Sequence, residues 1–485
     1  MKLSDLLTSI ADISLDYEIG GLCLDSRKVN SGDLFIALNG ALRHGLNHAR
    51  QALANGAVAV IYDPEGVQDA LLIKDEFTAI PNLSRHLGEI AARFYDRPSQ
   101  SIDVIGITGT NGKTTCSQLL AQALKDCGVI GTLGWGRVDR LQPTINTTPD
   151  ALDVQRMLRL LAEEGQKTVA MEVSSHGLEQ GRVNAVEFKG AVFTNLSRDH
   201  LDYHGNMEAY LQAKLSLFKN PALAFAVVNL DDASSQAVLE TLHKNVKRWV
   251  FSTSGRQTAG AECLTAGRVE HSANGIDFEV HWAGKTAHAT TSVMGAFNLQ
   301  NVMTVLCVLL ALGWPFETAV AQLSRLKAVT GRMESFGGAG KPCVIVDYAH
   351  TPDALEKVLL AAKNKGELWT VFGCGGDRDK GKRPLMGRIA ETYSDHVVVT
   401  DDNPRTEAPE AIIRDILTGC LSNKTRIIND RNVAITSVIQ QAKQNDCVVI
   451  AGKGHENYQE IKGVKMPFSD QAVVQQALAA WSPAP

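Results

Sequence analysis

A glycine-rich turn between an apolar strand and a helix constrains the fold of this 485-residue chain more than any other feature. Residues 104–115 read VIGITGTNGKTT. Such a turn directs backbone N–H groups and the positive end of a helix dipole at anionic oxygens. The lysine and threonine that open the helix can reach terminal phosphates and ligate magnesium. We therefore predict a phosphate loop, with Lys113 on the phosphates and Thr114 on the metal.

The general phosphate-loop pattern GxxxxGK[ST] is not matched in full. It requires a glycine five positions before Gly112, where this chain has Ile107, and the nearest glycines are Gly106 and Gly109. An ordinary glycine-rich strand-to-helix turn is the alternative. We favour the phosphate loop because GKTT stands directly between a strand and a helix.

Composition narrows the class of protein. The length suggests about three domains at typical domain sizes. A net charge of −5 gives no overall attraction for nucleic acid or anionic lipid, so neither is expected as a partner. The nine cysteines form no CxxC pair, which argues against structural zinc and for reduced thiols. Residues 1–18 lack a signal-peptide pattern, and the apolar run 302–316 is too short for a membrane span. We expect a cytoplasmic, monomeric protein.

The order of apolar segments predicts an α/β protein of three domains. Residues 1–100 contain strands at 34–38 and 57–63 and a helix at 48–56. Residues 101–331 begin with the phosphate-loop strand, and strands alternating with helices indicate a largely parallel sheet. The further segments predicted there are strands at 168–173, 191–195 and 224–229, antiparallel strands within 249–292, and a buried helix at 298–312.

Residues 332–485 predict a doubly wound, Rossmann-like sheet. Strands begin near positions 343, 368, 396, 426 and 447, separated by helical patterns such as 352–363. Each strand leads into a polar segment, at 347–353, 373–382, 401–405, 430–431 and 452–456. Ligands bind at the carboxyl edge of such sheets, so we expect a ligand site there. Ordinary solvated loops are the alternative.

Three further segments carry candidate chemistry. After the strand at 168–173, Glu172 could face a nucleotide as a magnesium ligand, and the polar Ser174, Gln180 and Arg182 are hard to explain as core residues. Residues 193–205 place Asp199, His200, Asp202 and His204 together, a spacing that leaves metal binding and its absence equally open. The loops 377–383 and 401–405 could grip a zwitterion through guanidinium and carboxylate groups, or form exposed ion pairs.

Lys214 lies among apolar residues of a helical segment, AYLQAKLSLF. From that pattern alone, it is a surface lysine whose stem covers apolar neighbours.

The ordered set of motifs resembles the muramyl ligases of bacterial cell-wall synthesis over nearly the whole chain. The motifs are LDSR (24–27), GTNGKTT, NTT (146–148), MEVSSHGL, NLSRDHLDYHG, GAFNLQN, GRME, DYAHTPD, GCGGDRDKGKRP, DNPR and GKGHE. The family's loop reads GTNGKT, so the departure at Ile107 supports the resemblance. It implies an N-terminal UDP-substrate-binding domain (1–100), a central ATP-binding domain (101–331) and a C-terminal amino-acid-binding domain (332–485).

The resemblance also implies roles for individual residues. The residues implied to contact a UDP-linked muramoyl dipeptide are Leu24, Ser26, Asn146, Thr147, Thr148, Ser174, Gln180 and Arg182. The residues implied to bind ATP are Thr108, Gly109, Thr110, Asn111, Gly112, Lys113 and Thr114, with Asn298, Arg332 and Asp347 around its base and ribose. The catalytic set is Lys113, Lys214, His200, Glu172 and His350, and the magnesium ligands are Thr114, Glu172, His200 and Lys214 as a carbamate. The residues implied to bind meso-diaminopimelate are Arg378, Asp402, Asn403, Pro404, Arg405, Gly452 and Glu456.

The implied carbamate replaces the interpretation of Lys214 as a surface residue. A lysine of pKa about 10.4 is unprotonated in only about one molecule in a few thousand at neutral pH. Burial beside a metal would lower that pKa and permit reaction with carbon dioxide, which turns a cation into an anionic ligand. The implied activity is ATP-driven amide formation through an acyl phosphate.

Three rival functions differ from this one in particular motifs. Lysine-adding family members lack the arginine of DNPR, which here is Arg405. Folylpolyglutamate synthase has the same type of ATP-binding domain, but it lacks the LDSR and GDLFIAL motifs that this chain carries within residues 1–100. A nucleotide-dependent switch would need no amino-acid site, and no NKxD guanine motif occurs in the chain.

Overall fold

The computed structural model describes residues 1–13, 15–40, 43–272, 275–338, 340–363, 366–422 and 424–482. Its strands, in chain order, are β1 (Gly21–Cys23), β2 (Asp33–Ala37), β3 (Ala59–Tyr62), β4 (Thr78–Ala79), β5 (Asp103–Thr108), β6 (Cys127–Gly131), β7 (Gly134–Arg137), β8 (Arg140–Gln142), β9 (Thr168–Glu172), β10 (Phe188–Phe193), β11 (Phe225–Asn229), β12 (Lys247–Ser252), β13 (Glu262–Ser272), β14 (Gly275–Trp282), β15 (Lys285–Thr291), β16 (Glu334–Gly337), β17 (Cys343–Asp347), β18 (Leu368–Phe372), β19 (His396–Val399), β20 (Thr425–Ile427), β21 (Cys447–Ala451), β22 (Tyr458–Ile461) and β23 (Val464–Pro467).

The α-helices alternate with these strands over most of the chain. They are α1 (Leu3–Leu6), α2 (Ala49–Ala54), α3 (Leu83–Phe94), α4 (Lys113–Ala123), α5 (Ala151–Glu163), α6 (Ser175–Glu179), α7 (Leu201–His204), α8 (Met207–Leu215), α9 (Ser235–Thr241), α10 (Ala296–Ala311), α11 (Phe316–Gln322), α12 (Pro352–Ala362), α13 (Lys382–Tyr393), α14 (Pro409–Leu417), α15 (Arg431–Gln441) and α16 (Asp470–Ala479). None of the described helices combines the length and apolar character that a bilayer crossing requires.

The chain divides into two compact units. The first comprises Met1–Gly106 and Asp126–Ala191, and the second comprises Ile107–Lys125 and Val192–Pro485. The boundary passes through β5 and β10, so each of these strands contributes residues to both units. The borders expected near residues 100 and 331 stay a prediction.

The first unit begins with a four-stranded parallel sheet in the order β1-β2-β3-β4. Every residue of β2 is buried, because apolar clusters cover both faces of the sheet. Leu34 and Ile36 pack on one face with α3, and Phe35 and Ala37 pack on the other with α2. The strands and helix predicted for this region from the sequence are confirmed.

The second part of the first unit has β6 paired in parallel with β9 and antiparallel with β7, which in turn pairs with β8. Asp150 immediately precedes helix α5 and caps it, because its carboxylate accepts the N–H groups of Leu152 and Asp153. That bond satisfies donors that the first turn of a helix leaves open.

In the second unit, the order of neighbouring strands is β15-β14-β13-β12-β11. The pairs among β13, β14 and β15 are antiparallel, as predicted, but β12 pairs in parallel with both neighbours. The prediction of antiparallel strands from residue 249 was therefore wrong for β12, which is buried over its last four residues like the parallel strand β11. The buried helix predicted at 298–312 is α10.

The C-terminal sheet has the order β16-β17-β21-β18-β19-β20, and only the β16–β17 pair is antiparallel. Helices α12, α13 and α14 pack on one face, and α15 and α16 pack on the other. The predicted doubly wound sheet is confirmed. Because the strands from β17 to β20 are parallel, the loops after them meet at one edge of the sheet.

Helices α15 and α16 are joined by a fully buried ion pair between Arg431 and Asp470. Arg431 donates through Nε and Nη2 to the two carboxylate oxygens, each over 2.8 Å. Its Nη2 also donates to the Ala451 carbonyl at the end of β21, over 3.0 Å. The pair thereby fixes both helices to the strand that ends at the polar edge of the sheet.

We expect Asp470→Asn to destabilise the protein by about 3–5 kcal/mol, because it removes the charged partner that accepts two hydrogen bonds from the buried Arg431 guanidinium. The midpoint of urea unfolding, followed by circular dichroism, measures the change. Glu317→Gln is the matched control, since Glu317 forms an exposed pair with Lys285 and should leave the midpoint unchanged. Equal midpoints for wild type and Asp470→Asn would contradict the structural role of the pair.

Candidate active site

The turn after β5 has the backbone that a phosphate loop requires. Gly109 and Gly112 have φ values of +149° and +87°. A Cβ at Gly109 would lie 1.9 Å from the Thr194 hydroxyl oxygen, so no other residue fits there. The loop is also held from outside, because Thr110 and Asn111 donate their backbone N–H groups to Asn195 over 2.8 and 2.9 Å. Those two N–H groups are thus engaged within the protein, and the contacts of the loop to phosphate stay a prediction.

Two lysine amines lie against one carbonyl of this loop. Lys113 Nζ donates to the carbonyls of Gly109 and Thr110 over 2.8 and 2.9 Å. Lys214 Nζ, from α8, donates to the same Gly109 carbonyl over 2.9 Å and lies 4.3 Å from the centre of the Tyr210 ring. Lys214 is 1% exposed. The surface position suggested by its sequence pattern alone is therefore wrong.

The environment of Lys214 favours its uncharged form. Burial, followed by the nearby positive charge of Lys113, holds the pKa of Lys214 well below its usual range, and Asp199 opposes this only in part. A neutral amine is a nucleophile, whereas an ammonium group is not. Lys214 thus meets the chemical requirement for reaction with carbon dioxide.

Asp199, a buried carboxylate, lies among two histidine rings and one lysine amine, and the sequence analysis named it only as part of a possible metal-binding segment. Its carboxylate lies 3.4 Å from His200 Nε2, 3.6 Å from His350 Nε2 and 3.6 Å from Lys382 Nζ. Although burial opposes it, the charges of Lys382, His350 and His200 hold the pKa of Asp199 well below its usual range. Asp199 therefore stays ionised and brings predicted residues from distant parts of the sequence together.

Lys382 is also new to the site. It is buried at the start of α13, and it comes from the basic segment 377–383 that the sequence analysis assigned to a zwitterion. Its burial could not be read from a run of charged residues, because such runs usually face solvent.

A stack of side chains extends from the phosphate loop towards the C-terminal sheet. Arg332 Nη2 donates to the Thr114 hydroxyl over 3.2 Å, and its guanidinium carbon lies 4.4 Å from the centre of the Tyr348 ring. The Tyr348 ring is in turn 5.0 Å from that of His455. The remaining member is His350, whose Nδ1 is 2.8 Å from the Tyr348 carbonyl oxygen.

Two residues predicted around the ATP base and ribose are engaged within the protein. Asp347 accepts the backbone N–H groups of Met333 and Ala349, each over 2.7 Å. Asn298 donates to the Met294 carbonyl and accepts from Asn301. These bonds position the segments around the loop, and the nucleotide contacts of both residues stay a prediction.

The residues predicted to bind a UDP-linked substrate lie in the first unit, and several are joined. The Thr148 hydroxyl donates to the Glu172 carbonyl over 2.9 Å and accepts the Ser174 N–H over 2.9 Å. Arg182 donates to the Thr148 carbonyl over 2.8 Å and to the Gln180 side chain. Hydrogen bonds thus join four of the predicted residues: Thr148 is bonded to Ser174 and Arg182, and Arg182 is bonded to Gln180.

Glu172, the predicted magnesium ligand of the first unit, is buried, and its carboxylate accepts the N–H and hydroxyl of Thr132 over 2.9 and 3.0 Å. The Thr132 hydroxyl also lies 3.0 Å from that of Thr147. Elsewhere in the unit, Ser26 donates to the Gln51 side chain over 2.8 Å. The remaining predicted residues, Leu24 and Asn146, are half-buried and exposed, respectively.

The predicted amino-acid site is a hydrogen-bonded cluster at the carboxyl edge of the C-terminal sheet. Asn403 donates to Glu456 over 2.8 Å and accepts from Lys453 over 3.0 Å. Lys453 is fully buried, and the sequence analysis did not single it out within GKGHE. A Cβ at Gly452, whose φ is +114°, would lie 2.6 Å from the Asp402 carboxylate, so glycine is required for this close approach.

The two arginines of this site differ in exposure. Arg405 is largely buried, donates to the Gly376 carbonyl over 2.7 Å and lies 3.6 Å from the Glu460 carboxylate. Arg378 is exposed on the neighbouring loop. The remaining member, Pro404, is buried and holds Asn403 in an extended conformation.

Across the described part of the chain, no three or more His, Cys, Asp or Glu residues come together in a way that could hold a metal ion. The predicted magnesium set differs from such clusters, since it includes a threonine hydroxyl and a lysine carbamate. Within the second unit, the Thr114 hydroxyl at the start of α4 is buried, and a hydroxyl oxygen is a hard donor of the kind that magnesium prefers.

Three family models match successive parts of the chain. Residues 18–95 match the model described as Mur ligase family, catalytic domain; residues 107–309 match Mur ligase middle domain; and residues 331–454 match Mur ligase, glutamate ligase domain. A UDP-N-acetylmuramoyl-L-alanyl-D-glutamate–2,6-diaminopimelate ligase from Ectopseudomonas mendocina is 47% identical over 491 residues, covering 100% of this chain and 99% of that protein. The chain belongs to the Mur ligase family. The family and the three-domain α/β architecture expected from the sequence motifs are thus confirmed.

Solved structures agree with this assignment. A structure of a UDP-N-acetylmuramoyl-L-alanyl-D-glutamate–2,6-diaminopimelate ligase matches with a TM-score of 0.69 and 37% identity, covering 99% of each chain. Folylpolyglutamate synthase from Mycobacterium tuberculosis matches with a TM-score of 0.62 and 17% identity, covering 82% of this chain and 96% of that one. The second likeness concerns the fold alone.

The titration of His455 provides a test of the stack. Burial, then the positive charge of Arg332, lowers the pKa of His455 to about 3, and its Nδ1 is buried with no hydrogen-bond partner among the described residues. Between pH 6.5 and 3 the unfolded chain therefore binds a proton that the folded protein does not, so this group makes stability rise with pH.

We expect the stability of the wild type relative to His455→Phe to increase by about 2 kcal/mol from pH 5 to pH 7.5. Urea unfolding at both pH values measures the difference. His288→Phe, which changes an exposed histidine, is the control and should show no such increase. A difference that is independent of pH would mean that His455 is not held neutral.

Proposed function

We propose that this protein is an ATP-dependent ligase that adds meso-diaminopimelate to the D-glutamyl γ-carboxylate of UDP-N-acetylmuramoyl-L-alanyl-D-glutamate. The observation that carries the proposal is the buried Lys214 amine on the phosphate loop, in a Mur ligase similar over its full length to ligases named for this reaction. The product is a precursor of bacterial peptidoglycan, so the reaction belongs to cell-wall biogenesis and serves cell shape and division. Because ATP and a UDP-linked precursor are its substrates, we place it in the cytoplasm, as a monomer.

The residues that would hold ATP surround the phosphate loop. Thr108 to Thr114 would receive the phosphates, with Lys113 on the terminal ones. Arg332 supports this assignment because its guanidinium already donates to the Thr114 hydroxyl. A guanidinium in that position can form charge-assisted hydrogen bonds with a phosphate group. Asn298 and Asp347 would complete the surroundings of base and ribose.

The chemistry has two steps. An oxygen of the γ-carboxylate attacks the γ-phosphorus of ATP, which breaks the bond to ADP and yields an acyl phosphate. The amine of diaminopimelate then attacks the acyl carbon, expels phosphate and loses a proton as the amide forms. The protein contributes mostly position and charge: Lys113 neutralises phosphate oxygens, while Asp199 holds His200, His350 and Lys382 beside the loop.

Magnesium, when bound, neutralises the phosphate oxygens. We assign Thr114, Glu172, His200 and the carbamate of Lys214 as the residues that would hold it. The burial of the Lys214 amine and its lowered pKa support the carbamate, because attack of the neutral nitrogen on carbon dioxide with loss of a proton would form an anionic oxygen ligand. A protonated Lys214 could not serve, because it would add positive charge beside the metal.

The remaining assignments divide the two organic substrates between two regions. The UDP-linked substrate falls to Leu24, Ser26, Asn146, Thr147, Thr148, Ser174, Gln180 and Arg182. Diaminopimelate falls to Arg378, Asp402, Asn403, Pro404, Arg405, Gly452 and Glu456. The Arg405 guanidinium would pair with the second carboxylate of diaminopimelate. Lysine lacks that carboxylate and would forgo the charge-assisted contact, so the site would discriminate against it.

The proposal predicts phosphate release that depends on the amino acid. With ATP, magnesium and UDP-N-acetylmuramoyl-L-alanyl-D-glutamate present, we expect turnover on adding meso-diaminopimelate and little on adding L-lysine. Turnover with lysine alone would overturn the assignment of Arg405. Phosphate release without any amino acid would instead favour a nucleotide-dependent switch.

We expect Lys214→Ala to reduce kcat by at least about a hundred-fold, since it removes a charged group from the reacting centre. Added short-chain carboxylic acids should restore part of the activity by occupying the space of the carbamate. Lys219→Ala is the control, because Lys219 is exposed in the same segment and should behave as wild type. Full activity of Lys214→Ala would exclude the carbamate.

A further inference from the structure

Two loops at the edge of the C-terminal sheet carry the arginines assigned to the amino acid, and they are bound to each other. One follows β18 and carries Arg378, and the other follows β19 and carries Arg405. The Gly376 N–H donates to the Asn403 carbonyl over 2.9 Å, and Arg405 Nη1 donates to the Gly376 carbonyl over 2.7 Å. The backbone of one loop therefore positions the guanidinium of the other.

Asp377, Thr406 and Glu407, here called the loop clamp, join the two loops through reciprocal bonds. The Thr406 hydroxyl donates to Asp377 Oδ1 over 2.7 Å, and the Thr406 N–H donates to Oδ2 over 3.2 Å. In the other direction, the Asp377 N–H donates to Glu407 Oε1 over 2.6 Å. Each loop supplies both donors and acceptors, which restricts sliding as well as separation.

Arg383 connects the loop clamp to the body of the domain. Its side chain is 1% exposed and donates to the two oxygens of Glu407 over 2.8 and 3.0 Å. It also donates to Asp415 of α14 over 2.8 Å. The hydrogen bonds from Arg383 lower the pKa of Glu407 to about 2, so Glu407 is ionised at neutral pH. A buried bidentate pair of this kind is geometrically exact and resists rotation.

The backbone of both loops supports a role in ligand binding. Asp377 and Arg405 have φ values of +54° and +51°, in the left-handed region that residues other than glycine rarely adopt. Such conformations persist only where surrounding contacts over-determine them, and they concentrate at ligand sites. Here the bonds of the loop clamp supply those contacts, one strained residue lying within the clamp and the other immediately before Thr406.

We propose that the loop clamp determines amino-acid specificity, with Thr406 as a positioning residue that fixes the spacing between Arg378 and Arg405. The inference rests on the proposed function, in which these arginines receive an amino acid with two carboxylates. Such a substrate gains from both guanidiniums only while their separation matches its own, because bidentate pairing tolerates little misplacement. A substrate with one carboxylate gains little from the same spacing.

Thr406→Val removes the hydroxyl donor at nearly constant volume, and Thr406→Ser keeps it. Thr392→Val is the matched control, because the Thr392 hydroxyl is exposed and donates within its own helix, to the Arg388 carbonyl. Steady-state phosphate release by the full-length protein gives kcat and KM for meso-diaminopimelate and L-lysine, and the KM for ATP.

For Thr406→Val, we expect the KM for diaminopimelate to rise about ten-fold, the effect of losing one hydrogen bond to a charged group. The KM for ATP and the kcat should stay within about two-fold, and the preference for diaminopimelate over lysine should fall about ten-fold. Thr406→Ser and Thr392→Val should match the wild type. If Thr406→Val does not fold, Asp377→Asn, which weakens the acceptor, takes its place.

Three results would overturn the inference: an unchanged KM for diaminopimelate, an equal loss of kcat/KM for both amino acids, or an equal rise in the KM for ATP. Each would mean that the loop clamp serves the fold alone. An active wild type with an unaffected Thr406→Val rejects the inference and keeps the proposed function. A wild type that releases no phosphate with either amino acid rejects the proposed function, and the inference with it.

Discussion

Two lysine amines held against a single loop carbonyl form the interaction on which the rest of the site depends. Lys113 and Lys214 both donate to the Gly109 oxygen, so two ammonium groups would stand close together, one of them buried. Burial, followed by the positive charge of Lys113, resolves this by lowering the pKa of Lys214, the more deeply buried group. Asp199, the carboxylate whose charge acts on Lys214, also lies beside the Lys382 amine and the rings of His200 and His350. The loop is therefore short of negative charge, which phosphate oxygens and a carbamate would both supply.

The C-terminal sheet has a different structural role, because it places several charged loops at one edge. Parallel strands bring the loops together, and bonds between loops then fix their geometry. The Arg332, Tyr348 and His455 stack runs between this edge and the phosphate loop. The nucleotide and amino-acid regions of the second unit are thus joined by packed side chains, and a change at either end has a physical route to the other.

Much of this could be predicted from the sequence. Alternating strand and helix patterns predicted the sheets, and the motif set predicted the family, because both signals are local in the chain. The burial of Lys214 could not be predicted from its helix, which reads as a surface segment. Nor could the Asp199 cluster, whose members come from positions 199, 200, 350 and 382. The parallel pairing of β12 was missed because periodicity reports burial and not strand direction.

The central claim is that Lys214 is uncharged in the folded protein and becomes an anionic carbamate. The most direct measurement is a carbon-13 NMR spectrum of the protein equilibrated with labelled bicarbonate, recorded for wild type and Lys214→Ala. We expect a carbamate resonance in the wild type that is absent from Lys214→Ala and disappears on acidification. Identical spectra for the two proteins would contradict it.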